Sequence, residues 1–239
     1  LLSRWAIKPV AVAWDQQRQF VADASHELKT PLTTIMGCSE IIEAGIARPE
    51  DHRALSGQIH KEAGRLLALI EDIIKLSRLD EGQIKDAFLK TDLYLESETV
   101  LEELAQKAKA SGVPLSLSGE NASVSGMPST LHEMIFNLCD NAIIYNRPGG
   151  SVTVLVRMEK ERVVLKVLDT GIGIEESHKE RVFERFYRVD KSRSRASGGT
   201  GLGLSIVKHG AQLHGAELSL ESTPGKGTTV TLSFPPLAE

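Results

Sequence analysis

Two stretches of apolar residues at heptad-like spacing, separated by a short break, constrain the fold of this chain more than any other feature. The break, residues 45–51, contains Gly45 and Pro49, which commonly end and restart helices. The pattern predicts two long helices over about residues 15–79, joined as an antiparallel hairpin. The apolar positions are Val21, Ala24, Leu28, Pro31, Ile35, Cys38 and Ile42 in the first stretch and Ile59, Ala63, Leu66, Ile70 and Ile73 in the second.

A single hairpin cannot bury both of its apolar seams. Two copies paired as a four-helix bundle would cover them, so we expect a homodimer. Hydrophobic residues make up 41% of the chain but aromatic residues only 5%, which suits an aliphatic helical core. With Val21 at heptad position a, His26 falls at position f, furthest from the seam, and we expect its imidazole to project into solvent.

The residues after the hairpin mix helical and strand-like patterns and predict a second domain. Polar residues without periodicity, from Glu81 to Thr91, indicate a linker. The mixed order of elements beyond it predicts an α/β sandwich, with a mixed sheet covered by helices on one face. We predict helices at residues 93–111, 128–145 and 204–214, and strands at residues 115–118, 152–158, 163–169, 217–222 and 228–234.

Composition and charge exclude several function classes. The net charge of −4 argues against a nucleic-acid partner. The two cysteines, Cys38 and Cys139, cannot form a disulfide framework or a zinc cluster, and we expect buried free thiols in a reducing, cytoplasmic environment. No apolar run reaches about 18 residues, so we expect that none of this sequence spans a membrane. Because it begins with Leu and has no signal-peptide pattern, we expect a piece of a longer protein.

The first candidate site is the helical sequence SHELKTP, residues 25–31. An exposed histidine such as His26, beside the carboxylate of Glu27, can be held in one tautomer and act as a nucleophile. Thr30 lies one turn later and shares the face of His26, while Pro31 removes a backbone hydrogen bond and would kink the helix. The ordinary alternative for a lone exposed histidine is a solubilising surface residue.

Two further motifs combine polar side chains with helices or glycines. Asn137 and Asn141 lie one turn apart on an apolar helix, which suggests ligands for a metal ion or phosphate; two buried amides paired with each other are the alternative. Asp169 ends a strand and is followed by Gly171 and Gly173, so a flat ligand could approach the backbone while the carboxylate accepts a hydrogen bond. An ordinary turn is the alternative there.

A glycine-rich segment, GGTGLGL at residues 198–204, leads directly into a predicted helix and could cradle a phosphate at the helix N-terminus. The Walker A, dinucleotide-binding and protein-kinase signatures are absent from the sequence. A glycine-rich loop alone is a weak signal, and the order of the motifs along the chain is what makes it informative.

Taken in order, five motifs resemble those of bacterial sensor histidine kinases of two-component systems. FVADASHELKTPLT resembles the phosphoacceptor box, NLCDNAIIYN the asparagine box, DTGIGI and GGTGLGLSIV the two glycine boxes, and VFERFYRVD the phenylalanine box. The resemblance implies a dimerisation and histidine-phosphotransfer hairpin (residues 16–83), a linker (84–91) and a catalytic ATP-binding domain (92–239) of the gyrase and chaperone type. Residues 1–15 resemble the segment that joins such a core to a membrane-proximal signalling module.

The resemblance also implies roles for individual residues. His26 would be phosphorylated, Glu27 would be the general base, and Thr30 would orient water during dephosphorylation of a partner. Asn137 and Asn141 would hold Mg²⁺ and the phosphates of ATP. The other nucleotide-binding residues implied are Tyr145 near the nucleotide, Asp169 at the adenine amino group with Gly171 and Gly173 beside it, Arg185 and Arg188 at the γ-phosphate, and Gly199, Thr200, Gly201, Leu202 and Gly203 in the second glycine box. Gly199, Gly201 and Gly203 would let a lid close over the triphosphate.

The implied activity is Mg-ATP-dependent autophosphorylation of His26, transfer of the phosphoryl group to an aspartate in the receiver domain of a response regulator, and dephosphorylation of that regulator. The implied full-length protein is anchored in the inner or plasma membrane and carries this core in the cytoplasm. One departure concerns Ile144, which occupies a position that is usually basic, so one phosphate contact is missing. Arg147 and Lys191 are candidates to replace it.

Two other functions stay open at this point. The chain could be a signalling scaffold that binds ATP without turnover or acts mainly as a phosphatase, or an ATPase of the gyrase or chaperone kind. The intact His26, Asn141 and Asp169 count against an inactive scaffold. An exposed histidine on a helical hairpin counts against the ATPase, because ATP hydrolysis that drives conformational change does not need one.

Overall fold

The computed structural model describes residues 2–81, 87–190 and 199–237. The chain folds into two compact units, Leu1–Ile74 and Lys75–Glu239. The boundary lies before the predicted end of the hairpin at residue 83, because residues 75–81 pack with the second unit, where Leu76 is fully buried. Residues 84–86 of the predicted linker lie outside the described residues.

The first unit contains the predicted helical hairpin. Helix α1 spans Leu2–Glu43, a short 3-10 helix spans Pro49–Asp51, and α2 spans His52–Glu81. Gly45 follows the end of α1 with a φ of +65°, a left-handed conformation that glycine adopts without steric cost. The hairpin is therefore confirmed, and α1 continues without interruption through residue 15, where the resemblance predicts the end of a separate segment.

Each helix of the hairpin has one apolar face turned inward and another that this single chain leaves uncovered. In α1, Ala24 and Pro31 are buried, whereas the side chain of Val21 is 55% exposed. In α2, Leu69 is 3% exposed, whereas Leu67 is 59% exposed. Ala63 and Ile70, which the periodicity includes in the second seam, lie on the uncovered face. His26 is exposed, as its heptad position predicts.

The second unit is the predicted α/β sandwich. Its main sheet has the strand order β2-β4-β5-β7-β6, with β2 parallel to β4 and the other neighbours antiparallel. The strands are β1 Leu89–Asp92, β2 Leu115–Gly119, β3 Ser123–Gly126, β4 Val152–Glu159, β5 Arg162–Asp169, β6 Glu217–Thr223 and β7 Gly227–Phe234; the helices are α3 Leu93–Ala110, α4 Pro128–Ile144, α5 Glu176–Lys179, a 3-10 helix Arg181–Phe183 and α6 Gly203–Leu213.

One face of the main sheet carries the core. Val152, Val154 and Val156 are fully buried and alternate along β4 with more exposed residues, because successive side chains of a strand point to opposite faces. Helices α3, α4 and α6 pack on the buried side. Since α4 lies between α3 and α6, its polar residues are held on a rigid element beside the loops that follow β5.

One part of the linker prediction is wrong. Residues 89–91 form strand β1 together with Asp92, and this strand pairs antiparallel with β3. Neither strand was predicted, because both are short and polar and each pairs only with the other. Asp92 then caps α3 by accepting hydrogen bonds from the backbone N–H groups of Tyr94 and Leu95.

No helix within the described residues is both long enough and apolar enough to cross a membrane.

Candidate active site

His26 lies in an open groove on the surface of α1. The groove encloses about 380 Å³ and is lined by His26, Lys29, Thr30, Thr33 and Thr34. The threonine hydroxyls donate to backbone carbonyls one turn earlier, including Thr30 Oγ1 to the carbonyl oxygen of His26 at 3.4 Å. An accessible imidazole beside a lysine cation and hydroxyl groups is suited to receiving an anionic group.

Glu27 faces the interior of the hairpin, away from the groove. Its Oε2 lies 3.9 Å from Nη2 of Arg65 on α2, whose side chain is only 12% exposed. The other guanidinium nitrogen, Nη1, lies 3.8 Å from Glu62 Oε2. Adjacent residues of a helix point in different directions, so the proximity of His26 and Glu27 in sequence does not place their side chains together.

The second unit places Asn137 and Asn141 on the side of α4 that faces α6. A Cβ atom built on Gly203, the first residue of α6, would lie 2.6 Å from Asn137 Oδ1 and 3.6 Å from Asn141 Nδ2. The amide of Asn137 donates to Glu133, one turn earlier, and not to Asn141, so the alternative of two mutually paired amides is wrong. Within the described residues, the side chain of Asn141 makes no hydrogen bond, which leaves both of its polar atoms available to a ligand.

Asp169, at the end of β5, is held by two backbone donors. Its Oδ1 accepts from the N–H of Gly171 at 2.7 Å and from the N–H of Thr228 on β7 at 3.2 Å. Burial raises the pKa of this carboxyl group above its ordinary value, while the two backbone hydrogen bonds act in the opposite direction. Because both donors share Oδ1, the other carboxylate oxygen remains available for a ligand.

The loop after β5 packs tightly against the end of α4. The N–H of Ile172 donates to the carbonyl oxygen of Tyr145 at 3.1 Å. A Cβ atom on Gly171 would lie 2.4 Å from that same oxygen, so no larger residue fits at this position without a shift of backbone. Gly173 has a φ of +68°, and a Cβ atom there would likewise clash with the carbonyl oxygen of Thr223 on β6. Asp169 and helix α4, which carries Asn137 and Asn141, are therefore held in one rigid arrangement.

The second glycine motif contacts the phenylalanine motif through the backbone. The N–H of Phe186 donates to the carbonyl oxygen of Gly201 at 2.9 Å. Gly201 has a φ of +77°, and a Cβ atom there would lie 3.0 Å from Arg188 Nε. The N–H of Leu202 donates to the Thr200 hydroxyl at 3.3 Å, immediately before α6 begins. Residues 191–198, which include Gly198 of the glycine-rich segment, lie outside the described residues.

Arg185 lies in a polar cluster with Asp80 and His209. Its Nη2 donates to both carboxylate oxygens of Asp80, at 2.9 and 2.7 Å, and lies 3.1 Å from Nε2 of His209 on α6. The Nδ1 of His209 lies 2.7 Å from the carbonyl oxygen of Ser205, and its Nε2 lies 3.2 Å from Oδ1 of Asp80. All of these residues belong to the second unit.

Several neighbours of the site had not been singled out from the sequence. Glu133 could have been found, because it lies one turn before Asn137 and continues the stripe of polar residues along α4. Gly227 and Thr228 had no such local signal, since they come from a strand far along the chain. Arg147 donates to the carbonyl of Gly225 at 3.2 Å, and the other candidate for the missing basic contact, Lys191, lies outside the described residues.

Comparison with known families identifies both units. Residues 16–82 match the His Kinase A (phospho-acceptor) domain, HisKA. Residues 126–238 match HATPase_c, the histidine kinase-, DNA gyrase B-, and HSP90-like ATPase. The class is thus that of a histidine phosphoacceptor domain followed by a domain of the histidine kinase, gyrase B and HSP90 ATPase family. The chain belongs to the sensor histidine kinases of two-component systems and comprises their kinase core.

Individual relatives agree with this assignment. Sensor histidine kinase YkoH of Bacillus subtilis is 40% identical over 223 residues, which cover 92% of this chain and 48% of YkoH. The structure of Acinetobacter baumannii histidine kinase AdeS has a TM-score of 0.73 at 22% identity, covering 88% of this chain and 97% of that one. The histidine kinase ThkA, solved in complex with response regulator protein TrrA, has a TM-score of 0.73 at 19% identity, covering 98% of this chain and 66% of that one. The chain spans about half the length of the curated relatives it matches.

Proposed function

We propose that this chain transfers the γ-phosphoryl group of ATP to His26, passes it to an aspartate of a response regulator, and dephosphorylates that regulator. The observation that carries the proposal is the meeting of Asn137, Asn141 and Gly203 beside the N-terminus of α6, together with an accessible His26 in a groove of its own. A nucleotide site without the groove would suit an ATPase. The combination favours a phosphotransferase.

The nucleotide would lie between α4, the loop after β5 and the start of α6. Asp169 would read the exocyclic amino group of adenine with its Oδ2, because its Oδ1 is occupied by Gly171 and Thr228. The glycine at position 171 permits close approach of a flat base to this backbone. The phosphates would extend towards α6, whose N-terminal backbone N–H groups and helix dipole favour an anion.

Asn137 and Asn141 would hold Mg²⁺. Mg²⁺ prefers oxygen ligands and in nucleotide sites commonly takes only one or two from the protein, the rest coming from phosphates and water. The residues fit this requirement: amide oxygens are available, and only a glycine at position 203 leaves room beside Asn137 Oδ1. Within the described residues no cluster of three histidine, cysteine or acidic side chains could hold a metal without the nucleotide. When bound, Mg²⁺ would neutralise phosphate charge as the γ-phosphoryl group is transferred.

In the chemical step, an imidazole nitrogen of His26 attacks the γ-phosphorus as the bond to the β,γ-bridging oxygen of ATP breaks. ADP leaves with that oxygen, and the other imidazole nitrogen, which carries the N–H, passes its proton to a base. Glu27 is the proposed base, and its contact with Arg65 must exchange for one with His26 before it can act. Phosphohistidine then donates its phosphoryl group to an aspartate carboxylate of the regulator, which restores the imidazole.

Thr30 is the proposed dephosphorylation residue. Its hydroxyl lies in the groove of His26 and donates weakly, at 3.4 Å, to a backbone carbonyl, so it can be redirected to hold an attacking water. We expect Thr30→Ala to slow dephosphorylation of a phosphorylated regulator about tenfold. Thr33→Ala, which removes a neighbouring hydroxyl of the groove, is the matched control. Equal phosphatase rates in Thr30→Ala and the unaltered protein would contradict this role.

The proposed active form is a homodimer, supported by the uncovered apolar faces of α1 and α2 and by the HisKA match. The proposed partner of the phosphorylated dimer is the receiver domain of a response regulator; the ThkA structure contains a kinase with such a protein. Membrane anchoring of the full-length protein, with this core in the cytoplasm, stays a prediction.

Labelling with γ-³²P-ATP tests the main proposal. The unaltered chain with MgCl₂ should gain acid-labile, alkali-stable label, as expected of a phosphoramidate, and His26→Gln should gain none. His60→Gln removes another exposed histidine of the same hairpin and should still be labelled. Phosphate release from ATP without any protein-bound label would instead favour the ATPase alternative, and ATP binding with neither outcome would favour the scaffold.

A further inference from the structure

Glu133 is a polar residue of α4 to which neither the sequence motifs nor the proposed chemistry assigns a role. It precedes Asn137 by four residues, and Asn141 follows by four more, so the three side chains form one stripe along the helix. The carboxylate of Glu133 is 25% exposed. Its position beside the proposed Mg²⁺ ligands raises the question of what it does there.

The two hydrogen bonds of Asn137 fix which way its amide points. Asn137 Nδ2 donates to the backbone carbonyl of Glu133 at 2.8 Å and to Glu133 Oε1 at 3.2 Å. If the amide were rotated by half a turn, its oxygen would face two other oxygens, and both hydrogen bonds would be lost. The nitrogen is therefore held towards Glu133, and the oxygen is held towards α6.

The direction of the amide oxygen matters because of what lies there. Asn137 Oδ1 faces Gly203, so closely that a Cβ atom on this glycine would come within 2.6 Å of it. A metal ion or a phosphate-bound cation at the start of α6 would meet the oxygen and not the NH₂ group. Cations need oxygen ligands, and hydrogen bonds from outer residues commonly orient such ligands.

The second oxygen of Glu133 has a separate partner. Glu133 Oε2 lies 2.9 Å from Nζ of Lys75, which also belongs to the second unit. The carboxylate is thus held from one side by a cation while its other oxygen accepts from Asn137. This division means that the contact with Lys75 and the contact with Asn137 can be removed one at a time.

We infer that Glu133 is a positioning residue that orients the Asn137 amide so that its oxygen serves Mg²⁺ bound with ATP. The inference rests on the proposed function, since it assigns Glu133 to the same nucleotide site. Glu133 does not touch the reacting atoms in this role. Its effect passes through Asn137 and should depend on Mg²⁺.

The test measures binding of the fluorescent analogue trinitrophenyl-ATP to the full chain during a MgCl₂ titration, and again in EDTA. Glu133→Ala should raise the Mg²⁺ concentration for half-maximal binding about tenfold. Glu133→Gln retains an oxygen that accepts from Asn137 and should stay within about threefold of the unaltered protein. Binding in EDTA should be the same in all three proteins, which a general loss of structure would not allow.

Two further variants keep the result interpretable. Lys75→Met removes the other partner of Glu133 and should leave the Mg²⁺ titration unchanged; a tenfold shift in this variant would show that Glu133 acts through packing and would overturn the inference. Glu133→Asp keeps the charge but withdraws the oxygen from Asn137, and should shift the titration in the same direction as Glu133→Ala if the alanine variant does not fold.

The outcomes separate this inference from the proposed function. Mg²⁺-dependent binding that is identical in Glu133→Ala and the unaltered protein would overturn the positioning role and leave the proposed function standing. Absence of Mg²⁺-dependent nucleotide binding in the unaltered protein would overturn both.

Discussion

Arg185 donates through a single nitrogen, Nη2, to both carboxylate oxygens of Asp80, at 2.9 and 2.7 Å. The two side chains are 22% and 28% exposed, so water screens this pair only in part. The proposed role of Arg185 lies at the γ-phosphate of ATP. In this structure the guanidinium group of Arg185 is instead hydrogen-bonded to the carboxylate of Asp80.

The first prediction concerns this pair. Asp80→Asn should tighten ATP binding about threefold, because Arg185 then meets the phosphates without first leaving a carboxylate. The measurement is an ATP titration with MgCl₂, with Glu71→Gln, an exposed residue of the same helix, as the control for loss of one negative charge. The effect should vanish when Arg185 is also changed to Ala. Weaker binding by Asp80→Asn would mean that Asp80 orients Arg185 for the phosphate.

A second prediction separates the charge of Asp169 from its hydrogen bonds. In Asp169→Asn the amide oxygen can still accept from Gly171 and Thr228, but the NH₂ group replaces Oδ2 and presents a donor to the adenine amino group. ATP affinity should fall about tenfold, because one good polar contact is lost and two hydrogen-bond donors then face each other. Calorimetry with ATP measures this. Affinity close to that of the unaltered protein would remove Asp169 from the adenine site.

The same variant has a predictable dependence on pH. Burial raises the pKa of Asp169 in the folded protein above its ordinary value of 3.8, so the fold binds this proton more strongly than the unfolded chain does. The contribution of Asp169 to the free energy of unfolding is therefore greatest below pH 3.8 and falls as the pH rises through the folded-state pKa. Denaturation measured across this range should show that the free energy of unfolding of Asp169→Asn increases relative to that of the unaltered protein as the pH rises. A relative decrease would contradict the burial argument.

A third prediction uses two glycines with the same backbone conformation. Gly201 and Gly149 have φ values of +77° and +76°, but only Gly201 has neighbours where a Cβ atom would lie, namely Arg188 and Phe186. Both alanine variants should lose about 1–2 kcal/mol from left-handed strain. Gly201→Ala alone should also weaken ATP binding, because Arg188 must move. Denaturant unfolding and ATP titration of the two variants, side by side, measure the difference; equal ATP affinities would contradict it.

The fourth prediction concerns the uncovered apolar face of the hairpin. Leu67→Glu places a charge on a side chain that is 59% exposed in the single chain and that a four-helix bundle would bury. Light scattering of the full chain should show a dimer for the unaltered protein and a monomer for the variant. Met158→Glu alters a side chain of the second unit that is 49% exposed and should remain dimeric. A monomeric unaltered protein would contradict the bundle argument.

The elements that the sequence predicted well have strong local signals. The hairpin has long periodic stretches bounded by a glycine and a proline, and α3, α4 and α6 each have several turns of one apolar face. Strands β1 and β3 were missed because four residues carry too little periodicity, and because their pairing joins Asp92 to Ser123 across the whole of α3.

The residues of the candidate site also differ in how well the sequence predicts them. Asn137, Asn141 and Asp169 lie at predictable positions on a helix and at a strand end, and the structure gathers each with a glycine motif. The partners that finish these arrangements, Thr228 at Asp169 and Asp80 at Arg185, come from distant parts of the chain. Such contacts depend on tertiary packing, which spacing within one segment does not encode.

Helix α1 extends without a break over 42 residues and carries His26 in its second half. A continuous helix of this length measures about 60 Å and keeps a fixed angular phase from end to end, advancing about 100° with each residue. A rotation applied about the helix axis near residue 2 would therefore change the direction, around that axis, in which the imidazole of His26 points. One residue inserted between Trp14 and Phe20 would shift that direction by about 100°, whereas seven would return it to within about 20°. The direction in which His26 points therefore depends on rotation of α1 as well as on the number of residues that precede it.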